Sequence, residues 1–164
     1  MTALSNKIIN AKSNDDAYGF LKELTGLYFE QHRYNECADY LKSLIKRKKT
    51  LEPLLDYYIG FTRYQQLRYL EESQSWDEYF NKGNNYRKEI TESLEKTINA
   101  VSFPEALGVY ARLILWRFHK DQNDVSSEKA LSDLRSITYL VRKKYILKTT
   151  KQRLRAWLKM VNTI

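Results

Sequence analysis

Residues 15–47 read DDAYGFLKELTGLYFEQHRYNECADYLKSLIKR, and the spacing of their apolar side chains decides the fold class. Ala17, Phe20, Leu21, Leu24 and Tyr28 recur at steps of three and four, which places them on one face of a helix from Asp15 to about His32. Tyr34, Cys37, Ala38, Leu41, Leu44 and Ile45 resume the pattern after a break of one or two residues. A connection that short forces the two helices to lie antiparallel, as a hairpin.

The same period extends in both directions. Upstream, a short segment with Leu4, Ile8 and Ile9 precedes Ser13-Asn14-Asp15, a polar cluster suited to cap the next helix. Downstream, a helix starts near Pro53, carries Leu55, Tyr58, Ile59, Thr62 and Leu67 on one side, and ends near Glu72-Ser73. Ser75 can cap a long helix whose stripe is Trp76, Tyr79, Phe80, Gly83, Tyr86, Ile90, Leu94 and Ile98. At this spacing the aromatics read as core. Ser102-Phe103-Pro104-Glu105 combines a capping box with a proline in the first turn, ahead of Leu107, Tyr110, Ala111, Ile114 and Phe118. At the end of that helix Trp116 reads as packed and His119 as solvated. A polar loop, Lys120 to Ser126, leads to a last hairpin arm with Ala130, Leu131, Leu134, Ile137 and Val141. After Lys148-Thr149-Thr150 a short helix would carry Leu154, Trp157, Leu158 and Val161. The chain has 164 residues with only two prolines and five glycines, so a single all-α domain is expected.

Gly26 and Gly60 are 34 residues apart, with Leu21 matching Leu55, Leu24 matching Tyr58 and Leu27 matching Phe61. Leu21, Leu24, Thr25, Tyr28, Tyr34, Cys37, Leu41 and Leu44 follow the large–small–Tyr–turn–Tyr–small–large–small order of a helix–turn–helix repeat. In these residues the chain resembles the tetratricopeptide (TPR) repeat family. It departs from the pattern where His32-Arg33 replaces the usual turn glycine and Lys49 the usual proline, and where the second unit has a much longer second helix. The resemblance implies antiparallel hairpins, about 15–49, 52–101 and 104–147, stacked as a short right-handed superhelix. It also implies a protein or peptide partner bound on the concave face of the first helix of each hairpin. The exposed residues there would include Lys22, Phe29, Asp56, Arg63, Tyr64 and Arg112, although each taken alone reads more readily as ordinary solvated helix surface. A clamp for a peptide carboxylate is not supported, because Gly26 stands at one of its positions.

The residues of known chemistries are thinly spread. His32 and His119 have no second ligand at metal spacing, and adjacent carboxylates such as Glu71-Glu72 point around a helix. There is no phosphate loop, nucleophile elbow or dinucleotide fingerprint, so no enzyme activity, cofactor or metal is expected. A lone cysteine, Cys37, excludes an internal disulfide framework. No stretch has the length of a signal peptide's apolar region or a membrane span, so a cytoplasmic location is expected.

Charge divides the chain. From Leu134 to Ile164 there are nine Lys or Arg and no acid, whereas residues 1–133 hold 28 − 9 = 19 bases and all 20 acids. Arg142, Lys143 and Lys144 open the basic stretch, and Lys151, Arg155 and Lys159 form one ridge of a basic amphipathic C-terminal helix over 148–164. That helix can cap the last hairpin. It can alternatively make the chain an adaptor for nucleic acid or another polyanion, or lie on an anionic membrane surface. A truncated or frame-altered end of a longer repeat protein would also produce so abrupt a loss of acids.

Overall fold

The computed structural model describes residues 2–101 and 106–143. All regular structure among them is helical: α1 (Thr2–Ile9), α2 (Asn14–Glu30), α3 (Tyr34–Arg47), a single 3-10 turn (Lys49–Leu51), α4 (Glu52–Glu72), α5 (Trp76–Ala100), α6 (Ala106–Asp121) and α7 (Ser126–Lys143). The chain falls into two compact units, Met1–Val101 and Ser102–Ile164, where length alone suggested one domain. The capping box at 102–105 and the helix expected over 148–164 lie outside the described residues.

Local chemistry sets the helix starts. Ser13 Oγ accepts the Asp16 amide at 3.1 Å, which satisfies one of the free donors at the start of α2. Pro53 sits in the first turn of α4, where its missing N–H costs nothing. Ser75 does precede α5, but its side chain makes no capping bond and instead meets Ser73 Oγ at 2.9 Å.

Three helix ends close in the same way. Arg33 N donates to Tyr28 O and His32 N to Phe29 O; Ser75 N donates to Leu70 O and Gln74 N to Glu71 O; Asp124 N donates to His119 O and Asn123 N to Lys120 O. Each pair is a Schellman turn, and the residue at its crown, His32, Gln74 or Asn123, has φ of 54°, 54° or 56°. No glycine occupies any of these left-handed positions, so all three turns hold a conformation that side chains disfavour. The turns make hairpins of α2 with α3, α4 with α5 and α6 with α7.

In the first unit α4 is the central helix, packed against α2, α3 and α5. Of its 21 residues, 13 are buried, including Asp56, Thr62, Arg63 and Gln66. The closest approach is to α5 at Gly60, where an added methyl would lie 2.8 Å from Leu94 Cγ and 3.4 Å from the Ile90 carbonyl oxygen. Gly26 has no such neighbour, since a methyl there would meet nothing within 4 Å. The 34-residue spacing therefore pairs two glycines in unlike surroundings, and the small residue buried next to Gly26 is Thr25, 2% exposed.

On α5 the buried stripe runs through Gly83, Tyr86, Ile90, Leu94 and Thr97. The aromatic start of the helix departs from the core expectation: Trp76 is 46% and Phe80 73% exposed. The neighbouring last turn of α4 is Glu71-Glu72, which offers a carboxylate, not an apolar surface. Tyr79 donates to Glu71 at 2.7 Å, while Trp76 and Phe80 pack edge-on against Tyr79 at 5.7 and 5.5 Å. In the second unit Leu113, Trp116 and Leu134 form a buried cluster with Ala130 and Leu131 against it, so Trp116 is packed as expected. His119 is more enclosed than expected, its ring nitrogen 3.1 Å from the Asp124 carboxylate in the turn.

The two glycines should separate cleanly in urea denaturation. Gly60→Ala is expected to lose about 1–3 kcal/mol by forcing α4 from α5. Gly26→Ala should gain about 0.5–1 kcal/mol from backbone entropy alone.

Candidate functional site

Between α2 and α4 lies an open groove of about 290 Å³, lined by Tyr18, Lys22, Thr25, Gly26 and Phe29 from one helix and Tyr57, Tyr58 and Phe61 from the other. On α2 the lining residues recur at helical steps, which places them on one strip. Gly26 opens the floor of that strip, because it carries no side chain where a neighbour could stand. Two of the lining hydroxyls are already engaged. Thr25 Oγ1 donates within its own helix, to Leu21 O at 2.9 Å or Lys22 O at 3.2 Å, and Tyr58 donates to Tyr18 O at 3.1 Å. Lys22 is exposed and has no ion-pair partner among the described residues.

The rings of the groove continue beyond it. Tyr18 meets Tyr58 at 5.7 Å, Tyr58 meets Tyr57 at 5.2 Å, Tyr57 meets Phe61 at 6.1 Å, and Phe61 meets Phe29 at 5.8 Å. From Phe29 the contacts run to Tyr34 at 5.3 Å, on to Tyr69 at 5.5 Å, and end on His32, stacked at 4.2 Å. Spacings of this size are those of attractive aromatic pairs. The stacking of His32 on Tyr69 also explains how a side chain is tolerated at the crown of the first turn.

Of the residues expected on the concave face, Lys22 and Phe29 line the groove. Three others are corrected: Asp56, Arg63 and Tyr64 are 6%, 6% and 5% exposed, so none presents an open surface to a partner. The reason is the position of α4. A helix covered on one side shows its opposite face to solvent, but α4 has neighbours on several sides, and its second face is covered too. Arg112 belongs to the second unit, half-buried on α6, with Nη1 3.2 Å from Gly108 O; burial lowers its pKa, against the pull of Asp133. Of the basic set, Arg142 and Lys143 end α7, and Lys144, Lys151, Arg155 and Lys159 lie outside the described residues.

Arg63 holds helices together. Its Nε donates to Glu89 of α5 at 2.5 Å, and its Nη1 lies 2.7 Å from both Asn35 of α3 and Gln66 of its own helix. Its guanidinium also sits 4.8 Å above the Tyr86 ring. Burial pushes the Glu89 carboxyl up, but bonds from Lys42 and Arg63 outweigh that and hold it below the usual carboxylate range. Removing one partner of such a buried pair costs about 3–5 kcal/mol. Lost binding in an Arg63 variant would therefore report lost packing.

Cys37 is buried 3.7 Å from Thr62 Oγ1, and burial raises its thiol to about 11, so at neutral pH it is a packing residue without thiolate character. No cluster of three or more His, Cys, Asp or Glu among the described residues could hold a metal ion.

The sequence reading missed Tyr18, Tyr57 and Phe61 as groove residues. The signal was present as a second stripe on each helix, Tyr18–Lys22–Thr25–Phe29 and Tyr57–Phe61, hidden behind the more apolar one.

Burial and the neighbouring Glu52 raise the Asp56 carboxyl to about 6, against the pull of Lys96, with burial the larger cause. The folded chain then binds that proton more tightly than the unfolded one, whose Asp titrates near ~3.9. Stability supplied by the protonated form is present at low pH and lost as pH rises through the window from about 4 to 6. Asp56→Asn should abolish this slope in urea titrations between pH 4 and 7.5. At pH 7 it should be more stable than the parent by about 1–2 kcal/mol.

No protein-family model, no curated protein and no solved structure matches this chain.

Proposed function

We propose that this chain is a non-enzymatic, TPR-like helical scaffold that mediates protein–protein interaction through the groove between α2 and α4. The observation that carries the reading is the groove itself: it combines an aromatic wall, a glycine in its lining and one lysine with no ion-pair partner among the described residues. Aromatic side chains give large contact area for little lost conformational entropy, and they dominate binding energy where they form a concave surface. The hairpin organisation favours the same function, since stacked helix pairs build extended concave binding surfaces. The cytoplasm is the compartment we assign it, a reading supported by a lone buried cysteine that needs no oxidising surroundings.

A second reading rests on the charge division of the sequence, nine bases and no acid in residues 134–164. Under it the basic end binds a nucleic acid or another polyanion, with affinity that falls steeply as salt rises.

The groove reading is tested with a displayed library of random peptides panned against the full chain, with counter-selection on Gly26→Leu. A Cβ added at position 26 meets nothing within 4 Å, so a leucine on this lining position adds bulk to the groove without a clash at its first atom. The expected outcome is a family of sequences retained by the parent and lost by Gly26→Leu and Phe29→Ala. If every selected sequence binds Gly26→Leu equally well, the groove is not the interaction surface.

A further inference from the structure

Resting on the groove reading, we propose that the occupant is a proline-rich segment in the polyproline II conformation, flanked by acidic residues. Three features of the groove select this ligand among peptides.

The first is its shape. At about 290 Å³ the groove lies at the low end of ligand sites, which typically span ~300–1,000 Å³. An amphipathic helix needs three or four anchors on one stripe, more than this volume admits. The groove is long for its volume, however. From Tyr18 to Phe29 the α2 strip spans about 16 Å at 1.5 Å per residue, the length of about five residues of polyproline II at ~3.1 Å each.

The second is hydrogen bonding. An extended strand binds by pairing its backbone with a sheet edge, and all regular structure among the described residues is helical. Within the groove Thr25 and Tyr58 already spend their hydroxyl protons on backbone carbonyls. With two of the four lining hydroxyl groups committed in this way, the groove suits a ligand that demands few backbone partners. Proline has no N–H, and a polyproline II segment keeps its carbonyls turned to water. Aromatic-walled grooves suit such segments, because flat rings pack on the pyrrolidine faces and the ligand is already ordered before it binds.

The third is charge. Lys22 is the one charged residue of the lining and has no ion-pair partner among the described residues. A carboxylate beside the prolines complements it, whereas a basic flank is repelled. The same count speaks against stacked nucleic-acid bases. Those need cations that follow successive phosphates, and here a single lysine lines the groove on a helix that also carries the exposed acids Glu23 and Glu30.

The test is fluorescence anisotropy at low salt with the full chain and four labelled probes. These are the peptide Glu-Glu-Pro-Pro-Leu-Pro-Pro-Leu-Pro, the same peptide opening with Lys-Lys, an acidic amphipathic peptide of helix-forming composition, and an oligothymidylate. The acidic proline-rich peptide should bind tightest, about fivefold tighter than its basic counterpart, the scale of a rim charge. Gly26→Leu should weaken it by about tenfold or more, by occupying the ligand's space, with a melting temperature no lower than the parent's, since a glycine is removed from a helix interior. Lys22→Glu should reverse the preference between the acidic and basic probes. Tighter binding of the helical peptide, abolished by Gly26→Leu, overturns the proline assignment and leaves the groove as a peptide site. Preferential binding of oligothymidylate overturns the assignment in favour of a polyanion. If no probe shows binding that Gly26→Leu abolishes, the proposal falls, and the library selection decides the broader groove reading separately.

Discussion

The Arg63 guanidinium, bonded to Glu89, Asn35 and Gln66 and seated over Tyr86, is the contact on which the first unit depends. It joins α3, α4 and α5 at one point, and it does so with a charge inside the protein. A buried guanidinium is tolerable only when its donors find acceptors and its charge finds an opposite one. Glu89 supplies the charge, shared with Lys42 from α3, and two side-chain amide oxygens supply the rest. The polar network specifies geometry where the apolar residues of α4, spread around the helix, would not by themselves select one orientation.

With α4 held in that way, the other features follow by packing. Gly60 lets α5 approach closely on one side. On another side the rings of Tyr57 and Phe61 face α2 across a gap that Gly26 leaves unfilled, and the gap is the groove. Groove and core are thus two sides of the same helix: its inner polar residues bond to α3 and α5, and its Tyr57 and Phe61 rings line the groove it shares with α2.

Much of the helical organisation was legible in advance because it is local. The Ser13 cap, the proline in the first turn of α4 and the polar breaks at 31–33, 73–75 and 122–125 act through neighbours within a few residues. Of the candidate site, Lys22 and Phe29 were legible as residues on the less apolar face of α2. Asp56, Arg63 and Tyr64 were misread for one reason. A charged or hydroxylated residue opposite an apolar stripe looks solvated until another helix is known to lie over it. Trp76 and Phe80 failed in the converse direction, since a stripe at helical spacing is buried only where an apolar partner faces it.

By itself, then, the sequence determined that the described residues are helical, roughly where most of their helices start and stop, and that short turns fold consecutive helices into hairpins. These properties rest on backbone hydrogen bonding and on side chains within one or two turns, which a linear pattern records directly. Only the tertiary structure decided that α4 is enclosed, that Arg63 is an internal tie, and that Gly60 is a contact while Gly26 is an opening. Burial is a property of what lies across from a residue, and the partner across from α4 comes from helices dozens of residues away. That pairing depends on close packing and charge matching, for which the periodicity of a single helix carries no information.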